Sequence, residues 1–351
     1  MPTNSDNLND ALIAHVNLAR GFRGGERQTE LLIRELAVRG IRQRLVARAG
    51  GSLIVRLADL DTLERVPVGG IWSGQRALRG AQLAHAHEGR CIQATYLARK
   101  LRGTPYVITR REVKPNKQIK AGQRAYRAAT ARVGLSQAIA LELNHRAANN
   151  DATIIPSAFT PASVDSELVH ALRARYGHPL IGHVGALVEQ HKGQDLLIEV
   201  ARRHSEWQFM LVGDGADEAQ LKRRAAGLAN VWFTGRTDDV ASHLAACDVF
   251  AFPSRHEGLG STLIDAMFIE VPIVATAVGG IPDLIEDDVN GLLVPPDSVD
   301  ALDAAIARLL DDPALQTRFT AANRLRIADY SVTAMADRYL QVYQRCLGAR
   351  R

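Results

Sequence analysis

The sequence predicts an α/β protein. Two doubly wound parallel-sheet domains, residues 1–165 and 166–330, face each other across a cleft, and a C-terminal helix over 331–351 packs back on the first. Three observations predict this. The chain has 351 residues, enough for two cores at roughly 150 residues per domain. Short, near-continuous apolar runs alternate with helical patterns along the chain, as strands covered on both faces require. Several runs end on glycine turns, at the carboxyl ends of strands where such sheets bind ligands.

In the first half, ALIAHVNL (11–18) reads as a buried strand, followed by the glycine-rich turn 21–25. A helix begins at Glu26 and stops at Gly40, a good C-terminal signal. Strands follow at 43–48, 81–86 and 106–109, and 132–136 closes the half. SAFTPASVDS (157–166) lacks periodicity and reads as the linker. The second half offers strands at 180–185, 209–212, 231–235, 249–253, 273–277 and 291–294. Helices at 194–204, 217–228, 238–246, 261–269 and 281–287 separate them, and from Ser298 on only helical patterns remain.

Composition bounds the function. No apolar run reaches the 18 or so residues of a membrane span, and the polar start MPTNSDNLND carries no secretory signature. The three cysteines lie far apart with no CxxC pair. That argues against a disulfide framework or a cysteine-rich metal site, and for a reducing cytoplasm. The net charge of +5 is uneven: residues 1–165 carry 25 Lys+Arg and 13 Asp+Glu, the remainder 18 and 25. From Arg99 to Arg127 there are ten basic residues and one acid, Glu112. Such a stretch is either a solvated face or a surface for an anionic partner, such as membrane phospholipid, phosphorylated glycolipid or nucleic acid. The scarcity of aromatics there (Tyr106, Tyr126) argues against nucleic acid.

The densest motif is PSRHEGLGSTLIDAM (253–267), where a strand runs through Gly258-Leu259-Gly260 into a helix with Ser261 as a candidate N-cap. Glycines before a helix start leave backbone N–H groups free for an anion such as a diphosphate. Glu257 precedes the turn, and Asp265 lies one helical turn past Ser261, placed to accept hydrogen bonds from sugar hydroxyls. Three more strand ends carry glycine turns: Gly182–Gly193 with Lys192, Gly213-Asp-Gly215, and Gly279-Gly280. Each is weak alone; several in one domain favour a nucleotide site.

Taken as an ordered set over 180–300, these pieces resemble the donor domain of the family 4 retaining glycosyltransferases: Lys192-Gly193, LVGDG (211–215), FTGRTDDV (233–240), CDVFAFPS (247–254), an acid pair with seven residues between, GGIPD (279–283) and NGLLVPP (290–296). In the first half, Gly24-Gly25-Glu26-Arg27 resembles the family's glycine-rich loop and His85-Ala-His87 its HxH strand end. The resemblance implies a GT-B fold of two Rossmann-like domains, the first binding acceptor and the second the nucleotide-sugar donor. It implies that Glu257 contacts the transferred sugar, that Asp265 holds the ribose, and that Lys192 neutralises the diphosphate. It also implies that Gly258, Leu259 and Gly260 present amides, with Ser261 and Thr262 opening the helix. Gly24 and Gly25 would approach the phosphates from the first domain, and Gly213 and Arg236 would lie in the donor and base loops. No metal or other cofactor is implied, because protein charges stabilise the leaving group.

The sequence departs from the family at three positions. Asp265 stands where a Glu is usual. Ala186 replaces an arginine, whose charge Arg23 or Arg27 would have to supply. Arg111 replaces a histidine near the acceptor, a fixed cation where a base would stand. Arg110, Arg111 and Lys114, with His87, are therefore candidate anchors for an anionic acceptor, Arg110 and Arg111 otherwise being a structural pair. Arg111 also joins Glu257 and Lys192 as a candidate catalytic residue, acting through its charge. His85 and His87 share a strand face, but with no third ligand at sensible spacing they do not predict zinc.

The expected activity is retaining, metal-independent hexosyl transfer from a nucleotide-diphosphate sugar to an acceptor hydroxyl. The expected setting is lipopolysaccharide-core or other envelope glycan synthesis, in the cytoplasm or peripherally on the inner face of the plasma membrane. A sugar-nucleotide epimerase and a non-catalytic sugar-nucleotide binder on the same fold are the alternatives.

Overall fold

The computed structural model describes residue 8 and residues 10–112, 122–159 and 162–348. The expected acceptor residue Lys114 lies outside these. Each half forms a parallel sheet. In the first, β1 (Ile13–Asn17), β2 (Gln43–Arg48), β3 (Leu63–Val68), β4 (Leu83–Ala86), β5 (Tyr106–Arg110), β6 (Ala131–Gly134) and β7 (Thr153–Ile154) run in the order β3-β2-β1-β4-β5-β6-β7. In the second, β8 (Leu180–Val184), β9 (Gln208–Val212), β10 (Val231–Gly235), β11 (Val249–Phe252), β12 (Ile273–Thr276) and β13 (Leu292–Val294) run β10-β9-β8-β11-β12-β13. Both orders reverse beside the first strand of the sheet, between β1 and β4 and between β8 and β11. These are the switch points at which the loops diverge and leave a crevice.

The central strands are apolar because both faces are covered: β1, β5, β8 and β11 are buried at every position. β3 escapes the sequence reading because LERVPV is an edge strand, buried only at its two ends and carrying Pro67 inside it. β7, two residues long, is too short to show a pattern.

The chain divides into two compact units, residues up to Ala158 with those from Ser331 on, and Phe159–Tyr330. The division falls earlier than the sequence-based 165/166 because hydrogen bonds hold the chain on either side of it. The Gln28 amide donates to the Ala158 carbonyl (2.7 Å) and accepts from the Ala158 N–H (2.8 Å). The next residue, Phe159, donates to the Tyr330 carbonyl (2.9 Å) and stacks on Phe268.

The first unit's core joins Ile13, Leu32, Leu36, Leu83 and Val107 to Met335, Tyr339, Val342 and Tyr343 of the C-terminal helix Val332–Gly348. Each large apolar side chain buried there contributes about 1.5–3 kcal/mol. In the second unit, Ile181, Phe209, Val249 and Val274 of the sheet pack with Leu197 and Val200 from Gln194–Arg203, and with Leu302, Ile306 and Leu309 from Val299–Asp311.

Candidate active site

The second unit's switch point brings two loops together, Gly185–Gly193 after β8 and Pro253–Gly260 after β11. Their backbones interlock: the His191 carbonyl accepts from the N–H groups of Arg255 (2.9 Å) and His256 (3.2 Å). The Arg255 guanidinium donates to the Glu189 carbonyl (2.8 Å) and forks onto Asp195 (2.7 and 2.8 Å). With the loops fixed, the Lys192 ammonium forms an ion pair with the Glu257 carboxylate, both side chains partly exposed. The ammonium also lies 4.9 Å above the Phe252 ring. The other Glu257 oxygen accepts from the Gly258 N–H (3.2 Å). A cation and a carboxylate, sequence-distant and partly open to solvent, thus meet where the strand order reverses.

The helix Ser261–Ile269 begins beside them. Its N-cap is Gly260, left-handed at φ 89°, and not Ser261 as the spacing suggests. No side chain caps this end; the Leu263 amide donates to the Gly260 carbonyl (2.9 Å), and the Ser261 and Thr262 amides before it remain donors for a ligand. Leu259 and Asp265 are buried, while Ser261 and Thr262 are partly exposed. Gly213 packs its backbone on the Gly185 turn, where a Cβ would lie 2.0 Å from the Gly185 carbonyl oxygen. Arg236 follows the edge strand β10 and is exposed; β9 separates β10 from β8, so Arg236 does not join the Lys192–Glu257 pair.

In the first unit, Gly24 and Gly25 open the helix Gly24–Val38 after β1. Glu26 turns back on this start, accepting from the Arg23 N–H (3.1 Å) and the Asn17 side-chain amide (3.4 Å). The Arg111 side chain leans on the same turn: its Cδ lies 3.3 Å from where a Gly25 Cβ would stand. Arg110 is buried and donates to the Glu112 carbonyl (3.4 Å).

His87 is buried, and its Nε2 shares a hydrogen bond with Nδ1 of His15 (2.9 Å). His85 Nδ1 meets the Tyr343 hydroxyl (2.6 Å) and its Nε2 the Thr109 hydroxyl (2.7 Å), which in turn meets Tyr339 (3.0 Å). The strand pattern shows two imidazoles here; the third, His15, comes from the neighbouring strand β1, with which β4 pairs in register. Nitrogens of all three lie within 4.8 Å of one another. Four of the six ring nitrogens are engaged in hydrogen bonds, leaving His15 Nε2 and His87 Nδ1 without a partner, and the Arg111 charge acts on the cluster, a poor setting for a divalent cation. Burial pushes His15 down to about 4 and holds His85 and His87 well below the usual range, with Arg111 adding to the effect on the last two. The cluster is therefore neutral near pH 7.

Residues 178–312 match the family described as glycosyl transferases, group 1. The match lies within the second unit. It is 35% identical to an alpha-D-kanosaminyltransferase of Streptomyces kanamyceticus over 49% of this chain and 48% of that one. It is 32% identical to the lipopolysaccharide core biosynthesis glycosyltransferase LpsE of Rhizobium meliloti over 47% and 49%. The chain thus spans about half the length of the curated relatives it matches. Among solved structures, Anabaena HepE in complex with UDP and glucose superposes with a TM-score of 0.84, at 19% identity, covering 95% of this chain and 99% of that one. The two doubly wound units are those of the GT-B glycosyltransferase fold, and both switch-point loops of the second unit, with Lys192 and Glu257, lie inside the matched family segment.

Proposed function

We propose that this glycosyltransferase transfers a sugar, with retention at the anomeric carbon, from a nucleotide-diphosphate donor to an acceptor hydroxyl in envelope glycan synthesis. The observation that carries the reading is the Lys192–Glu257 ion pair beside the uncapped start of the helix Ser261–Ile269. As the glycosidic bond to the diphosphate breaks, negative charge grows on the leaving phosphate oxygens. An ammonium and a helix N-terminus fixed in advance stabilise that charge without reorganising, and preorganisation of this kind usually supplies most of an enzyme's rate enhancement. The protein's own positive groups thus carry the leaving-group charge with no metal called for. Glu257 steers Lys192 and faces the sugar that is transferred, while the nucleoside diphosphate departs. Asp265, half a helix further in, is assigned the ribose hydroxyls, and Arg236 the loop around the base.

The relative named for lipopolysaccharide core synthesis and the excess of base in the first half support an anionic envelope glycan or glycolipid as acceptor. They also support work at the cytoplasmic membrane surface. Among the described residues no helix is long and apolar enough to cross a membrane, so attachment would be peripheral.

Purified protein given UDP-, GDP- and ADP-sugars, with and without envelope glycolipid, tests the reading. Acceptor-dependent release of nucleoside diphosphate is expected, with Lys192→Ala costing about 3 kcal/mol of transition-state stabilisation, roughly a hundredfold in rate. Glu257→Ala is expected to abolish transfer while thermal unfolding stays unchanged. Epimerised donor, or full activity in both variants, overturns the assignment.

A further inference from the structure

We infer that Arg255 is a positioning residue for sugar transfer: its guanidinium clasps the two switch-point loops of the second unit and so sets how Lys192 and Glu257 stand. The inference rests on the transferase reading above and adds to it a residue that acts through that pair.

The backbone hydrogen bonds between the two loops share one acceptor. The His191 carbonyl takes both the Arg255 N–H (2.9 Å) and the His256 N–H (3.2 Å). Two bonds that meet at one oxygen make a pivot, about which Pro253–Gly260 can still rock against Gly185–Gly193. The Arg255 side chain supplies the further points that stop it. One terminal nitrogen donates to the Glu189 carbonyl (2.8 Å) and to an Asp195 oxygen (2.7 Å), the other to the second Asp195 oxygen (2.8 Å), and Nε to Asp297. A planar guanidinium forked onto a carboxylate has a fixed orientation as well as a fixed distance.

The carboxylates it grips belong to the frame of the unit. Asp195 is the second residue of the helix Gln194–Arg203, whose Leu197 and Val200 lie in the core. Asp297 stands between β13 and Ser298, the N-cap of the helix Val299–Asp311. Sequence spacing carries the frame to the ion pair, since Arg255 precedes Glu257 by two residues and Glu189 precedes Lys192 by three. The far side of Glu257 is held too, its carbonyl accepting from the Gly280 N–H (3.4 Å). Arg255 also occupies a rival. Asp195 lies three residues past Lys192, and without the guanidinium it would compete with Glu257 for the ammonium. The Arg255 and Asp195 side chains are only 19% and 17% exposed, so salt screens their attraction less than that of surface pairs.

Competitive acetylation of the folded protein, with each lysine followed by mass spectrometry, reads the pair without any substrate. An amine held against a carboxylate is shielded from the reagent. Arg255→Met should speed the labelling of Lys192 about two- to fivefold, the factor that a partly exposed ion pair carries. It should leave unchanged Lys222 of the same unit, which pairs with Glu218 within another helix. In the transfer assay at saturating donor, kcat of Arg255→Met should fall about ten- to a hundredfold, as misplaced groups commonly cost. Arg255→Lys, which keeps the charge and loses the fork, should fall between. In Lys192→Ala protein the same Arg255→Met change should cost at most about threefold, because the pair it sets is already broken.

Lys192 and Lys222 labelled faster alike, or an equal loss of kcat with and without Lys192, makes Arg255 a general brace and overturns the inference. Labelling and kcat of Arg255→Met equal to wild type overturn it as well. Wild-type protein that transfers no sugar, while Arg255→Met still frees Lys192 alone, sinks the transferase reading and leaves the clasp standing.

Discussion

At the scale of single residues, two glycines decide whether Lys192 and Glu257 meet. Gly193 adopts φ +65°, and a Cβ there would lie 2.2 Å from the Pro253 carbonyl oxygen; Gly279 adopts φ +56°, with its Cβ position 1.8 Å from the Glu257 carbonyl oxygen. In both cases the obstacle is backbone, which cannot swing aside. Gly193→Ala should cost about 1–3 kcal/mol, the usual range for forced backbone strain, and should part the two loops. A shift in the urea midpoint together with a fall in sugar transfer checks this; an unshifted midpoint would mean that the loops part freely.

His183 makes a second prediction at this scale. Its Nδ1 faces the Ala251 carbonyl (3.0 Å) and its Nε2 the Gln194 amide nitrogen (3.3 Å), so the neutral Nδ1–H form fits and a second proton would meet an N–H donor. Burial pushes it down to about 4. The unfolded chain takes up this proton near pH 6.5 while the folded chain refuses it. Stability is therefore complete above pH 6.5 and drains as the pH falls towards 4. Urea midpoints at pH 7.5, 6 and 5 should decline, and His183→Gln should flatten part of the slope in the second unit.

At the scale of elements, the C-terminal helix Val332–Gly348 is both part of the first unit's core and the support of its histidines. Tyr343 closes the hydrogen bond to His85 Nδ1, and Tyr339 reaches Thr109. Tyr343→Phe should leave a buried imidazole nitrogen unpaired, at about 1–3 kcal/mol. Differential calorimetry should place that loss in the transition of the first unit alone, the second unit having its own core. A variant melting like wild type would show that His85 needs no such partner. Elements of this kind are partly legible in the sequence. Near-continuous apolar strands announce both sheets, and the glycine turns announce which strand ends matter. What periodicity cannot show is contact between distant residues. His15 and His87 are separated by 72 positions and meet only because β1 and β4 pair at the reversal of strand order. The N-cap of the helix Ser261–Ile269 is misread for a related reason: Ser261 has the right chemistry for a cap, but the left-handed turn is one only Gly260 takes without strain.

At the scale of the whole molecule, the charge is divided between the chain's halves, +12 for residues 1–165 and −7 for the remainder, the differences of 25 and 13 and of 18 and 25. An anionic surface should therefore engage the first unit. From Arg65 to Arg111 the chain carries nine basic residues and one acid, Glu88. Two helices in this stretch, Ile71–Ala77 and Ile92–Arg102, are tied together by the Arg102 guanidinium donating to the Gln75 side-chain oxygen (3.0 Å). They leave Trp72 67% and Leu101 62% exposed beside Arg76, Arg99 and Lys100. Indole rings favour the lipid–water boundary, and each basic residue near an anionic leaflet adds about 1 kcal/mol within a Debye length. The protein should co-sediment with vesicles containing phosphatidylglycerol and not with vesicles of phosphatidylcholine alone. Raising the salt from low to about 0.5 M should release it, since screening then acts within a few ångströms. Trp72 should report the encounter by a blue shift in fluorescence that Trp72→Phe removes, while Arg99→Glu with Lys100→Glu should weaken sedimentation. Equal binding to both kinds of vesicle, or binding indifferent to salt, would mean that the positive half is a solvated face and that the acceptor is met away from the membrane.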